Sequence, residues 1–345
     1  MNNVLAFKKR NNLKEFELIN NLKIDCFSDS LFDNTFVVFK SFNDIIYLIY
    51  SYKLKTLVLF NLITNQINSQ IKKAHSNFIS NIRHYPDNIT KKDLIMSIST
   101  KDQNIKIWDI INFECLFNIK QIYYNGNIYS ACLLNEKKEK YILSCNNNYP
   151  YNAEQIKVFN LKGEEIKEIY NFNENSFFID NYYDNIFDIN YIIVGNKGCI
   201  KSYDFNQNIL YKNYCDNKDD QEYCSIIIKK RNKILHLISS CYDGNVRIWN
   251  FNTAELLNKI KVSSYNLCGI CLKDKYLYIG TQDSLIIIVD LIKNEVIDYL
   301  VGHNNSVICI KNILHPKYGE LLVSQGYLND GIKFWKKNLI LNKIP

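Results

Sequence analysis

The chain is 345 residues long, 47% hydrophobic and 14% aromatic, and carries 42 Lys plus Arg against 35 Asp plus Glu, a net charge of +7. That apolar share excludes wholesale disorder, and the mild basic excess with only 4 Arg lacks the guanidinium density of a dedicated nucleic-acid binder. The counts of 49 Asn, 51 Ile and 25 Tyr against 11 Gly and 4 Pro follow AT-rich codon usage, which devalues any inference from asparagine alone.

In chain order, the first twelve residues, MNNVLAFKKRNN, lack a hydrophobic signal core. The stretch Lys14–Leu22 (KEFELINNL) has strand character at its start. From about residue 34 the chain repeats. LVLFNL (Leu57–Leu62), IKIWDI (Ile105–Ile110), IKVFNL (Ile156–Leu161), IKSYDF (Ile200–Phe205), VRIWNF (Val246–Phe251), IIIVDL (Ile286–Leu291) and IKFWKK (Ile332–Lys337) align on one large residue. That residue falls at Phe60, Trp108, Phe159, Tyr203, Trp249, Val289 and Trp335, at intervals of 48, 51, 44, 46, 40 and 46 residues. A recurring unit of this length is the mark of stacked repeats.

Inside each unit the hydrophobic period is 2, broken by short polar turns, which reads as strands. The sixth unit is the clearest: LCGICLK (Leu267–Lys273), YLYIGT (Tyr276–Thr281), LIIIVD (Leu285–Asp290) and EVIDYLV (Glu295–Val301) form four runs with tight links. A small meander cannot bury both its faces alone, so neighbours must stack on it. No long amphipathic helix is evident. The expected fold is all-β, seven four-stranded antiparallel blades in one domain spanning residues 1–345.

These residues resemble the WD-repeat β-propeller family. The resemblance rests on Trp108-Asp109, Tyr203-Asp204 at the same phase, Gly302-His303, and an Asp six residues before the large residue at Asp102, Asp243 and Asp283. It implies a buried tetrad of His, Ser, Asp and Trp in each well-preserved unit. The second unit offers His75, Asp102 and Trp108, with Ser97 or Ser99 as the hydroxyl. The fifth offers Ser239, Asp243 and Trp249 without a Gly-His. The seventh offers His303, Ser324 and Trp335, with Asn329 at the Asp position and Asp330 one step late. Ring closure needs a last strand: residues 1–24 are the first candidate, Leu339–Ile344 the competitor.

The common catalytic motifs are absent from the sequence: no G-x-S-x-G, no phosphate-binding Gly loop, no H-E-x-x-H. No catalytic residue, cofactor or metal site is therefore expected. Of 5 His, His75 and His303 belong to the tetrad pattern, and His84, His236 and His315 read as structural. Cys268-Gly-Ile-Cys271 is half a zinc motif, but in a strand residues three apart face opposite sides, so both thiolates cannot reach one metal. The runs Glu136–Lys140 and Lys229–Lys233 read as solvated turns.

Resemblance to the family implies peptide or protein binding on the face formed by the blade-entry loops and by the loops between second and third strands. Those loops carry Lys53, Lys55, Lys101 and Lys197 beside Tyr149, Tyr151, Tyr242 and Tyr327. The longest, Asn146–Glu154, holds Pro150 between two tyrosines. Tyrosine offers large contact area at low entropic cost, and the lysines favour acidic or phosphorylated segments. The expected function is a non-enzymatic protein-interaction scaffold. The alternatives are a subunit of an RNA–protein complex, which +7 permits, and, third, a propeller enzyme. An odd count of 11 Cys and no apolar run near the ~20 residues of a membrane span argue for an intracellular setting, cytoplasmic or nuclear.

Overall fold

The computed structural model describes residues 16–22, 35–120, 122–123, 127–137, 139–147, 155–170, 176–216, 223–231 and 234–337. Tyr149, Pro150, Tyr151 and the candidate closing segment Leu339–Ile344 lie outside them.

The first strand, β1 (Phe16–Leu22), belongs to the last blade. Blade one is β2 (Phe36–Lys40), β3 (Ile46–Tyr52), β4 (Thr56–Asn61) and β5 (Gln66–Ile71); blade two is β6 (Asn81–Asp87), β7 (Lys92–Ser99), β8 (Asn104–Asp109) and β9 (Glu114–Ile119). Blade three is β10 (Asn127–Glu136), β11 (Glu139–Asn147), β12 (Gln155–Asn160) and β13 (Glu165–Tyr170); blade four is β14 (Ser176–Asp184), β15 (Ile189–Asn196), β16 (Cys199–Asp204) and β17 (Ile209–Cys215). Blade five is β18 (Tyr223–Arg231), β19 (Ile234–Cys241), β20 (Asn245–Asn250) and β21 (Leu256–Lys261). Blade six is β22 (Leu267–Lys273), β23 (Tyr276–Thr281), β24 (Leu285–Asp290) and β25 (Glu295–Val301). Blade seven is β26 (Val307–His315), β27 (Gly319–Gly326) and β28 (Ile332–Lys337), with β1 antiparallel on its outer edge. Among the described residues the single helical element is a 3₁₀ turn, Leu328–Asp330.

The first strands of the blades contact one another in sequence, β2 to β6 and onward to β26, and β26 contacts β2 again. The ring is therefore closed, with the first strands on its axis: a seven-bladed β-propeller. Antiparallel order puts the loops from second to third strand at one end with the connections between blades. The first-to-second and third-to-fourth turns lie at the other. We call these the loop face and the turn face.

There is no central core. The buried apolar residues divide into seven clusters, one per interface between neighbouring blades. The large residue of each unit faces the blade before it: Trp108 packs among Val37, Ile49 and Leu59 of blade one, and Trp335 among Tyr278, Ile286 and Ile288 of blade six. Each such burial contributes roughly 1.5–3 kcal/mol, so the repeat's most regular position also joins the units. All seven blades carry a register shift between outer strands at this residue, from Leu59/Phe60 through Ile288/Val289 to Leu18/Asn20 opposite Trp335. Strand β1 thus pairs with β28 as every other fourth strand pairs with its third. The turns use Asn and Asp at positive φ, at Asp44, Asn65, Asp188, Asn208, Asp274 and Asn294, residues that tolerate this region.

Candidate binding faces

The tetrads come first because they fix the loops. In blade seven Trp335 Nε1–H donates to Ser324 Oγ at 2.8 Å, His303 Nε2 pairs with Ser324 Oγ at 2.7 Å, and His303 Nδ1 with Asp330 Oδ2 at 2.7 Å. With Nδ1–H given to the carboxylate, Nε2 accepts from the serine hydroxyl, and each group is satisfied. Lys333 Nζ donates to Asp330 Oδ1 at 2.6 Å. Asp330 takes the acidic place and Asn329 is exposed, because the 3₁₀ turn and Gly331 at φ 81° lengthen this loop relative to those of blades two, five and six. Gly302 is needed next to His303: a Cβ there would stand 2.8 Å from Trp335 Cη2.

Blade two is looser. Ser97 supplies the hydroxyl, 2.8 Å from both His75 Nε2 and Trp108 Nε1, while the buried Ser99 Oγ has no hydrogen-bond partner among the described residues. His75 Nδ1 stands 3.9 Å from Asp102, which accepts instead from the Ser76 and Asn77 amides at 2.8 and 2.9 Å. Burial, helped by the Lys106 and Lys333 ammonium groups, pushes His75 down to about 3 and His303 down to about 4. Both imidazoles are neutral at pH 7. A Ser-His-Asp chain in blade seven has the order of a hydrolase triad, but Ser324 is fully buried and already bonded to Trp335, so no substrate reaches it.

Blade five keeps Trp249 Nε1–H to Ser239 Oγ at 3.2 Å. Its Asp243 has no histidine; it holds Arg247 Nη2 at 2.7 Å, while Arg247 Nε reaches Asp216 at 2.9 Å. Against the opposing effect of burial, these guanidinium bonds hold Asp243 at about 2. Blades three and four use tyrosine. Tyr123 OH lies 2.8 Å from Ser144 Oγ, and Tyr214 OH 3.2 Å from Ser202 Oγ with its proton given to Phe251 O at 2.7 Å. Sequence inspection missed both, since the hydroxyl comes from different places in the repeat.

The remaining sequence-selected residues separate. Lys53, Lys55, Lys101 and Lys197 are exposed on the loop face of blades one, one, two and four; Tyr242 and Tyr327 are half-buried there on blades five and seven. Lys53 lies over the Tyr52 ring at 5.4 Å and Lys101 over Phe78 at 5.2 Å, contacts that steady the stems and leave the ammonium groups at the surface. The consecutive residues Cys268 to Leu272 all border the axial cavity, and Cys271 also belongs to the apolar cluster between blades six and seven. Burial pushes the Cys268 and Cys271 thiols up to about 12 and about 11. Among the described residues no three His, Cys, Asp or Glu side chains gather as a metal cluster. His84 pairs with Asp93 at 2.7 Å and stacks on Phe39, and His315 meets Leu62 O at 3.2 Å.

Two cavities bear on binding. The axial one, about 590 Å³, is lined by the first strands of all seven blades. Arg83 crosses its wall, donating to Ser130 Oγ at 3.1 Å, Ile179 O at 2.9 Å and Asp180 Oδ1 at 3.3 Å. One side chain thereby ties blades two, three and four. The second cavity, about 390 Å³, is a cleft between blades five and six on the turn face. That face also carries a series of exposed isoleucines. Asn61, Asp87, Asp109, Asp184 and Asp290 each accept, through Oδ1, the amide of the residue two places on, which is Ile63, Ile89, Ile111, Ile186 and Ile292. Each turn so held raises an isoleucine into solvent, up to 77% exposed at Ile89.

A seven-bladed ring of four-stranded meanders with Trp-Ser-His-Asp networks defines a class, the repeat β-propellers. The family model described as "WD domain, G-beta repeat" matches residues 226–250, within blade five, where Asp243, Arg247 and Trp249 stand in one short stretch. Match and ring together support a WD-repeat propeller family, with no particular member indicated. No curated protein sequence matches it. Propellers of this family are generally non-enzymatic scaffolds that bind other proteins. Among the described residues no helix is long and apolar enough to cross a membrane.

Proposed function

We propose that this chain is a scaffold that docks an acidic extended protein segment on its loop face. What carries the reading is the group Lys53, Lys55 and Lys101, exposed on the adjacent blades one and two at one end of a rigid ring. A strand-stacked ring presents such side chains without loop rearrangement, which reduces the ordering cost of binding. Charge at an exposed rim acts chiefly on encounter rate and partner choice. Tyr149 and Tyr151 belong to this proposal from the sequence alone. Zero-length carbodiimide crosslinking of captured partners tests it, since that chemistry joins a partner carboxylate to a lysine of the ring. The expected crosslinks fall on Lys53, Lys55, Lys101 or Lys197. Crosslinks confined to the turn face or the outer strands contradict the reading.

A further inference from the structure

The run Lys229-Lys230-Arg231, read from sequence as a solvated turn, stands at the mouth of the cleft between blades five and six. Arg231 is fixed there by donating to Leu291 O at 2.9 Å, across the blade interface. Lys275 borders the cleft from blade six, tied to Asp290 at 2.9 Å. Lys229 and Lys230 are exposed, and neither has an acidic partner among the described residues. Asp274 is the one unpaired acid on the rim beyond a 4.0 Å contact with Lys273. The floor is apolar: Ile238, Ile248, Leu257 and Leu272 line it, and Leu257 and Ile292 are 40% and 59% exposed. Lys229 and Leu272 also border the axial cavity, so they stand between it and the cleft.

We infer that this cleft is a second docking site, for an extended acidic peptide bearing bulky apolar side chains. Uncompensated cations at the rim call for carboxylates or phosphates. An exposed leucine and isoleucine over an apolar floor call for side chains that leave water with them. Inorganic phosphate alone satisfies only the first requirement. A single-stranded RNA would want several stacking platforms, and the cleft offers only the His236 imidazole, with no Phe, Tyr or Trp among its described lining residues. The site lies on the face opposite Lys53, Lys55 and Lys101, so it stands or falls independently of the loop-face reading.

Binding of a fluorescein-labelled peptide alternating Glu and Leu, read by anisotropy on the full chain, tests the inference. Lys229→Glu with Lys230→Glu, and separately Leu257→Asp, should each weaken it by about tenfold or more, equivalent to ~1.4 kcal/mol. All three positions are exposed, and unchanged melting curves verify the fold. Lys53→Glu with Lys55→Glu and Lys101→Glu should leave it unchanged. The counterpart peptide with Lys for Glu should not bind. Absence of binding to the wild type, indifference to both cleft variants, equal loss in the loop-face variant, or displacement of the peptide by oligouridine overturns the inference.

Discussion

At the scale of single residues, the hydrogen-bond chains in blades two, three, four, five and seven explain which polar groups are indispensable. Ser97 Oγ serves both Trp108 and His75, whereas Ser99 Oγ, two residues on, serves nothing among the described residues. Removing the first leaves two buried groups unsatisfied, so Ser97→Ala should cost on the order of 1–3 kcal/mol. Ser99→Ala should stay within about 0.5 kcal/mol of wild type. Urea melts of the two variants distinguish them, and equal effects would contradict the assignment. The histidines add a pH dependence. An unfolded histidine takes its proton near 6.5, folded His303 only near about 4 and His75 near about 3. Between those values the unfolded chain binds more protons. The stability present above pH 6.5 is therefore lost as pH falls toward 4, by on the order of a few kcal/mol. The depressed carboxylates of Asp102 and Asp330 act in the same direction but below their ordinary 3.8. Melts between neutral pH and pH 4 should show a flatter slope in His75→Asn with His303→Asn than in wild type. Parallel curves would refute it.

At the scale of elements, the strand that closes the ring is the sensitive one. Strand β1 pairs with β28 along its length, and Phe16 is buried at the junction of blades six and seven, edge-on to Tyr278 at 5.8 Å. Gly331 makes room for it: a Cβ there would stand 2.6 Å from Leu22 O. Deleting residues 1–24 should lower the melting temperature sharply and leave β28 as an open edge prone to association. Phe16→Ala should cost about 3 kcal/mol. An unchanged melting curve for the deletion would show that closure depends on other contacts. Thr35 and Gln325 also join blades one and seven through their side chains, so the seam has polar as well as apolar links.

At the scale of the whole molecule, the ring was legible in sequence because one position repeats without lapse. Phe60, Trp108, Phe159, Tyr203, Trp249, Val289 and Trp335 all sit on third strands facing the preceding blade. Packing tolerates any large apolar side chain there, so the pattern survives the loss of Trp-Asp marks. The tetrads were only partly legible. Tyr123 and Tyr214 do the work of histidine in blades three and four, but among 25 tyrosines nothing distinguishes them. The cleft was not legible at all, since Lys229, Leu257 and Lys275 come from two blades and meet only when these stack. The fold class thus follows from local pattern, whereas the proposed cleft follows from how two blades meet. On both proposals, one rigid ring holds proteins on two independent faces. Parallel affinity capture tests it most directly, using wild type, the Lys53, Lys55 and Lys101 charge reversal, and the Lys229 and Lys230 charge reversal. The prediction is that each variant loses a different subset of the wild-type partners and keeps the other's. Identical partner sets in all three, or the same subset lost from both variants, would contradict it.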